Sequence, residues 1–275
     1  MTRPFVHALA VLLLAFATAC TTAPSDRADG GRPAGERWRP KPGTDWQWQL
    51  SGRLDTDVDA PVYDIEGFDH GTATVAALHR RDRKVICYLS VGAWEDWRPD
   101  AADFPRSVIG RSNGWKGERW LDIRRLDVLE PLLAERFDMC RDKGFDAIEP
   151  DNVDGYANRS GFPLTAAHQL EFNRMVARLA HERGMAVGLK NDLGQIPRLV
   201  DDFDFAVNEQ CAEYDECEKL TPFVRAGKAV FHVEYDLPPE RFCATSRKLR
   251  LSSLQKEMDL TAWRKTCRKE SPSGD

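Results

Sequence analysis

Short apolar runs that break into carboxylates recur along this chain, and that recurrence constrains its fold more than any other feature. Strand-like runs occupy Trp46–Leu50, Val62–Ile65, Val85–Val91, Ala147–Pro150, Ala186–Leu189, Phe205–Val207, Ala229–Val233 and Leu249–Leu251. Between several of them lie stretches of helical periodicity, Ala73–Arg80, Leu126–Lys143 and Thr165–Arg183. The last two end in Lys143-Gly144 and Arg183-Gly184, a basic last turn and a glycine stop. Eight strands alternating with helices over ~220 residues predict an α/β chain folded as a single (β/α)8 barrel. The first repeat is irregular, because only about a dozen residues separate the first two strands, too few for a full covering helix. Conversely, Trp94–Asp122 is a long excursion rich in tryptophan. An open, doubly wound sheet is the competing architecture, and without GxGxxG after the first strand its nucleotide-binding version is disfavoured.

The N-terminus reads as an export signal. Arg3 precedes an apolar run from Val6 to Phe16, too short for the ~20 residues that span a bilayer. Ala17-Thr18-Ala19 suits signal peptidase, and the same residues followed by Cys20 resemble a lipobox. The expected organisation is a signal peptide over 1–19, a flexible tether over 20–43 with Cys20 as lipid anchor, and the barrel domain over 44–270. The expected location is the cell envelope rather than free secretion. Contact with a membrane is then expected only through Cys20. A net charge of −5 supplies no field for nucleic acid.

Six further cysteines, Cys87, Cys140, Cys211, Cys217, Cys243 and Cys267, form an even set that favours disulfides in an exported chain. Proximity suggests Cys211–Cys217, and Cys243–Cys267 would clip a C-terminal helix to the body, leaving Cys87–Cys140. Six cysteines allow 15 pairings, and the sequence does not choose among them. No CxxC or HxxxH spacing and no calcium-binding loop of EF-hand type appears, so no metal and no cofactor is expected.

In a barrel the reactive groups gather where strands end. Those ends read Asp64-Ile65-Glu66, Ser90-Val91-Gly92, Glu149-Pro150-Asp151-Asn152-Val153-Asp154-Gly155-Tyr156, Lys190-Asn191-Asp192, Asn208-Glu209-Gln210 and Glu234-Tyr235. Each buried polar group costs desolvation unless paired, so a purely structural barrel would not carry so many. Converging carboxylates without metal-ligand spacing suit cleavage of a glycosidic bond, where one carboxyl protonates the leaving oxygen and another acts from the opposite side.

These motifs resemble glycoside hydrolase family 114, the endo-α-1,4-polygalactosaminidases, which have a (β/α)8 fold. The resemblance rests on Val62-Tyr63-Asp64, Ile86–Gly92, Glu149–Tyr156, Leu189-Lys190-Asn191 and Asn208-Glu209-Gln210-Cys211, and spans roughly Trp46 to Cys267. It implies retaining hydrolysis of α-1,4-linked galactosamine or N-acetylgalactosamine polymers. It also implies Asp151 and Glu209 as the catalytic pair, taken as nucleophile and general acid/base. Around them, Asp64, Glu149, Asn152, Asp154 and Lys190 are expected to bond sugar hydroxyls or tune the pair. Tyr88, Trp94 and Tyr156 are expected to offer stacking faces, and Glu234 to help hold a cationic amine.

Plainer readings compete. Asp151 could cap the turn after its strand, Glu209 could be half of an ion pair with Lys190, and Tyr88 could be core. His232, inside an apolar strand, reads as a hydrogen-bonded core histidine. A non-catalytic glycan-binding lipoprotein, or a glycosidase for another amino-sugar polymer, remain the alternatives to the lead function.

Overall fold

Alternation of side chains along each strand builds the molecule. The computed structural model describes residues 37–267. Its strands are β1 (Gln47–Gln49), β2 (Val62–Glu66), β3 (Lys84–Ser90), β4 (Ala93–Glu95), β5 (Ile109–Ser112), β6 (Glu118–Leu121), β7 (Ala147–Asp151), β8 (Ala186–Lys190), β9 (Phe205–Glu209), β10 (Val230–Glu234), β11 (Ser252–Gln255) and β12 (Lys265–Thr266). The helices are α1 (Thr72–His79), α2 (Leu126–Lys143), α3 (Ala166–Glu182), α4 (Ile196–Leu199), α5 (Thr221–Arg225) and α6 (Pro239–Leu249).

The main sheet runs β1-β2-β3-β7-β8-β9-β10-β11, every neighbour parallel, with β12 added antiparallel to β11. Spatial order follows chain order from end to end. A doubly wound sheet would reverse at a switch point; here the sheet curls into the (β/α)8 barrel instead. Its two ends are tied by side chains and a loop rather than a ladder: Trp46 Nε1 donates to the Ser252 carbonyl at 2.9 Å, and Leu50 N–H to that of Leu260 at 3.0 Å.

Residues of one parity fill the barrel. Trp46, Trp48, Val62, Ile86, Ala147, Ala186, Phe205, Val207, Phe231 and Val233 form the inner core, with Trp46 and Trp48 stacked at 5.8 Å. The opposite parity, including Tyr63, Ile65, Cys87, Leu89, Ile148 and Val187, packs under the helices. In α2 that contact is made by Leu129, Leu133, Phe137 and Cys140, spaced three and four apart, and the helix stops at Gly144 with φ 91°. Thr165 caps α3 in a capping box with His168.

Several expectations shift. The eighth strand is Ser252–Gln255, not Leu249–Leu251, because Leu249 ends α6 and Arg250 turns left-handed at φ 59°. The Trp94–Asp122 excursion holds a separate three-stranded antiparallel sheet, β4-β6-β5. All three cysteine pairs form: Cys87–Cys140, Cys211–Cys217 and Cys243–Cys267. Disulfides of this kind persist in oxidising compartments outside the cytosol. The expected signal peptide over 1–19 and Cys20 lie outside the described residues. The last part of the 20–43 stretch is packed rather than free: Trp38 lies 6.1 Å from the Phe205 ring, and Ala229 N–H donates to the Pro40 carbonyl at 2.9 Å. Among the described residues no helix is long and apolar enough to cross a membrane.

Candidate active site

The inward parity that is apolar at the bottom of the barrel becomes polar at its carboxyl end. Val62 is followed two residues on by Asp64, Ile86 by Tyr88, Ala147 by Glu149 and then Asp151, Val207 by Glu209, and Val233 by Tyr235. These side chains converge on one ammonium. Lys190 Nζ, 2% exposed, lies 2.9 Å from Glu149 Oε1, 3.1 Å from Asp151 Oδ1 and 3.5 Å from Glu209 Oε2. Burial alone would push its pKa down, but Asp151, Glu149 and Glu209 together hold it well above its ordinary value.

The four acids fall into two levels. Asp64 and Glu149 are fully buried, whereas the Asp151 and Glu209 side chains keep 20% and 27% of their surface open. Burial and the neighbouring Glu149 carboxylate push Asp64 well above the carboxylate range, and burial also raises Glu149 despite Lys190. Burial thus favours the neutral form of Asp64. Both side chains are fully buried, so this floor lies under the ammonium and offers no surface to sugar.

Asp151 behaves oppositely. Burial would raise it, but Lys190, the Tyr88 hydroxyl at 2.7 Å and the Asn152 N–H at 2.8 Å outweigh burial and lower its pKa. Asn152 can donate because its backbone is left-handed, φ 63°, with its amide anchored on Ser90 Oγ at 2.9 Å. Gly92 allows this turn: a Cβ there would lie 1.7 Å from the Asn152 carbonyl oxygen. Left-handed residues also follow two other strand ends, Asn191 and Asp192 after β8 and Gln210 after β9, and such backbone clusters where side chains must be re-aimed. Glu209 receives the Tyr235 hydroxyl on Oε1, and its own N–H donates to Asn191 Oδ1 at 3.0 Å.

Beside Glu209 opens a cavity of about 360 Å³ lined by Asp154, Tyr156, Asp192, Asn208 and Tyr214 among others. Burial and Asp154 push Asp192 to about 8, against the Tyr156 hydroxyl and Asn173. Burial and Asp151 push Asp154 to about 6. One Asp192 oxygen, Oδ1, is buried without a hydrogen-bond partner.

The structure thus gathers Asp64, Tyr88, Glu149, Asp151, Asn152, Asp154, Tyr156, Lys190 and Glu209. Tyr88 turns its hydroxyl to Asp151, and Lys190 Nζ lies 5.8 Å from the centre of its ring. Two expected residues stay away. Glu234 has the outward parity and is fully buried; it accepts from Ala212 N–H at 2.7 Å and pairs with His232 at 2.8 Å. Trp94 belongs to the far face of the small sheet, its indole bonded to the Ala101 carbonyl. Tyr235 and Asp192 were missed, although Tyr235 continues the alternation Phe231, Val233. His232 is the buried, hydrogen-bonded core histidine expected, bonding Ser253 and Glu234. Among the described residues one group has metal-ligand spacing, Cys211, Cys217 and His232, but those sulfurs are joined as a disulfide.

Comparison with known proteins adds to this geometry. The family model of glycoside-hydrolase family GH114 matches residues 31–272. The crystal structure of Aspergillus fumigatus Ega3 in complex with galactosamine is similar at 41% identity and a TM-score of 0.80, covering 85% of this chain and 98% of that one. The glycoside hydrolase domain of PelA from Pseudomonas aeruginosa shares 16% identity over 82% of this chain and 99% of its own, at a TM-score of 0.63, a likeness of fold. No curated protein matches the chain.

Proposed function

The chain belongs to glycoside-hydrolase family GH114, and from that membership we propose that it cuts within α-1,4-linked galactosamine polymers, Asp151 acting as nucleophile and Glu209 as general acid/base. That it is a glycoside hydrolase follows from the family. The pair of roles is supported by one observation: of the acids around Lys190, only these two reach the open mouth.

Both contact the same ammonium, so their near oxygens are no farther apart than the 3.1 Å and 3.5 Å contacts laid end to end. The two carboxylates thus meet at Lys190, and the retaining course, which asks for ~5–5.5 Å between carboxyl groups, is taken from the family reading. The reaction then runs in two displacements. Asp151, kept ionised by its three partners, attacks the anomeric carbon while Glu209 gives its proton to the departing oxygen. Glu209 next takes a proton from water, whose oxygen attacks the same carbon and frees Asp151. Lys190 and Tyr88 hold the nucleophile; Tyr235 holds the acid/base.

The acidic cavity supports a cationic substrate. An ammonium entering between Asp154 and Asp192 would favour their charged forms and fill the open valence of Asp192. Galactosamine is the ligand of the Ega3 complex, and a de-N-acetylated polymer carries that charge on each such unit. Cleavage of de-N-acetylated and acetylated α-1,4-galactosaminan by wild type, Asp151→Asn and Glu209→Gln tests the assignment. Turnover of the free-amine polymer by wild type and loss in both variants is expected; retained cleavage in either removes that residue from its role.

The finer location is also part of the proposal. Ala17-Thr18-Ala19-Cys20 would be processed with lipid on Cys20, and the segment after it would hold the barrel clear of the membrane.

A further inference from the structure

The sheet formed by β4, β6 and β5 has a face the catalytic reading leaves unused. Cross-strand partners share a face, and Ala93 pairs with Trp120 while Glu95 pairs with Glu118. Trp120 packs toward Gly155, in the loop that follows Asp151, where an added Cβ would meet its ring at 3.2 Å. The face bearing Glu95 and Glu118 is therefore turned to the catalytic mouth. Burial, Glu95 and Asp151 all raise the Glu118 carboxyl, while Asn113 bonds it at 2.7 Å.

Beyond Glu95 and Glu118, at the same end of this sheet, stand two tryptophans. Trp97 is 51% exposed and Trp115 58% exposed. The Trp97 ring lies against Gly117, two residues from Trp115, and the Asp96 carboxylate lies there too. Large aromatics left open beside carboxylates have the composition of a carbohydrate platform: the ring offers a flat face to sugar C–H groups and to a cation. On the other flank of Glu209 the exposed ring is Tyr214, 63% open in the acidic cavity. Exposed aromatic rings thus stand beyond Glu118, whose carboxyl feels the Asp151 charge, and in the acidic cavity beside Glu209.

We propose that Trp97 and Trp115, with Glu118, form a distal subsite that stacks and charge-pairs an amino sugar of the polymer away from the bond being cut. This rests on the reading of the substrate as an amino-sugar polymer. The platform binds free-amine units through Glu118 and Asp96, and acts on capture of long chains rather than on bond breaking.

The test compares wild type, Trp97→Ala, Trp115→Ala and the double variant, with exposed Trp263→Ala as control. Each tryptophan lost is expected to lower kcat/KM on long de-N-acetylated polymer about three- to tenfold, through KM, while kcat on a short galactosamine oligosaccharide stays at the wild-type value. Trp115→Tyr is expected to recover most of the loss. The same tryptophan changes placed in an Asp151→Asn background are read by polymer affinity alone, without turnover. Unchanged affinity there, or equal losses on long and short substrates, overturns the platform. Failure of wild type to cut the polymer would instead overturn the proposed function, and the affinity measurement would still decide the platform.

Discussion

Tyr235 donates its hydroxyl to Oε1 of Glu209 from the neighbouring strand, just beyond the end of β10. Burial and the Glu209 carboxylate raise the phenol, so Tyr235 stays protonated across the working range and can only donate. That donor on Oε1 and Lys190, 3.5 Å from Oε2, together fix the plane of the Glu209 carboxylate. Tyr235→Phe keeps the ring in the inner core and removes that bond alone. Its expected effect is a fall in kcat of about tenfold with little change in KM, the pattern of an interaction made in the transition state. A rise in KM at unchanged kcat would show Tyr235 to be a substrate contact instead.

Lys190 is the charge on which three carboxylates depend. Lys190→Met leaves those acids facing each other, and loss of one partner from a buried ionic cluster costs about 3–5 kcal/mol. The sign follows from Asp151. Its lowered pKa contributes stability above its ordinary value and loses it as pH falls through the folded value. The deficit of the variant is therefore expected to be widest near neutrality and to shrink as pH falls from about 4, the ordinary aspartate value, toward the lower folded value of Asp151. Thermal melts of both proteins across pH check this. A constant gap at all pH values would mean that Lys190 contributes by packing alone.

Asp192 runs in the opposite direction. Burial and Asp154 raise it to about 8, so the folded chain holds a proton that the unfolded chain releases near its ordinary value of about 4. Stability from this group is complete below about pH 4 and declines until pH passes about 8. Asp192→Asn removes the titration, so its stability relative to wild type is expected to rise through that window. The same change is expected to raise KM for free-amine polymer more than for acetylated polymer. Parallel melting curves across the window, or equal KM changes on the two polymers, would contradict it.

How far the sequence carried depends on parity. Asp64, Glu149, Asp151 and Glu209 were legible because each stands at a strand end within a motif that resembles the family, and in the structure each continues an alternation begun by a buried apolar residue. Glu234 was misplaced by one residue, which in a strand moves a side chain to the opposite face; its neighbour Tyr235 holds the inward position. Leu249–Leu251 was ambiguous because a three-residue apolar run fits a strand or a helix end, and only the left-handed Arg250 shows which. The spacing of Tyr88 after Ile86 placed its ring at the site, but no spacing rule says that its hydroxyl will bond Asp151.

Two disulfides separate stability from function. Cys87–Cys140 joins β3 to α2 over 53 residues, on the helix side of the sheet. Cys211–Cys217 closes only six, immediately after Glu209-Gln210. Loop-closure entropy assigns about 4 kcal/mol to the first and about 2 kcal/mol to the second. The smaller one nevertheless fixes the turn that carries Gln210, left-handed at φ 63°, and Ala212, whose N–H anchors on Glu234. Cys87→Ala/Cys140→Ala is therefore expected to melt much earlier yet keep kcat when assayed well below its Tm. Cys211→Ala/Cys217→Ala is expected to lose less stability and about tenfold in kcat, because Glu209 sits two residues before the freed cysteine. The reverse order of the two activities would show that the turn after β9 holds its shape through the Ala212–Glu234 bond and needs no covalent closure.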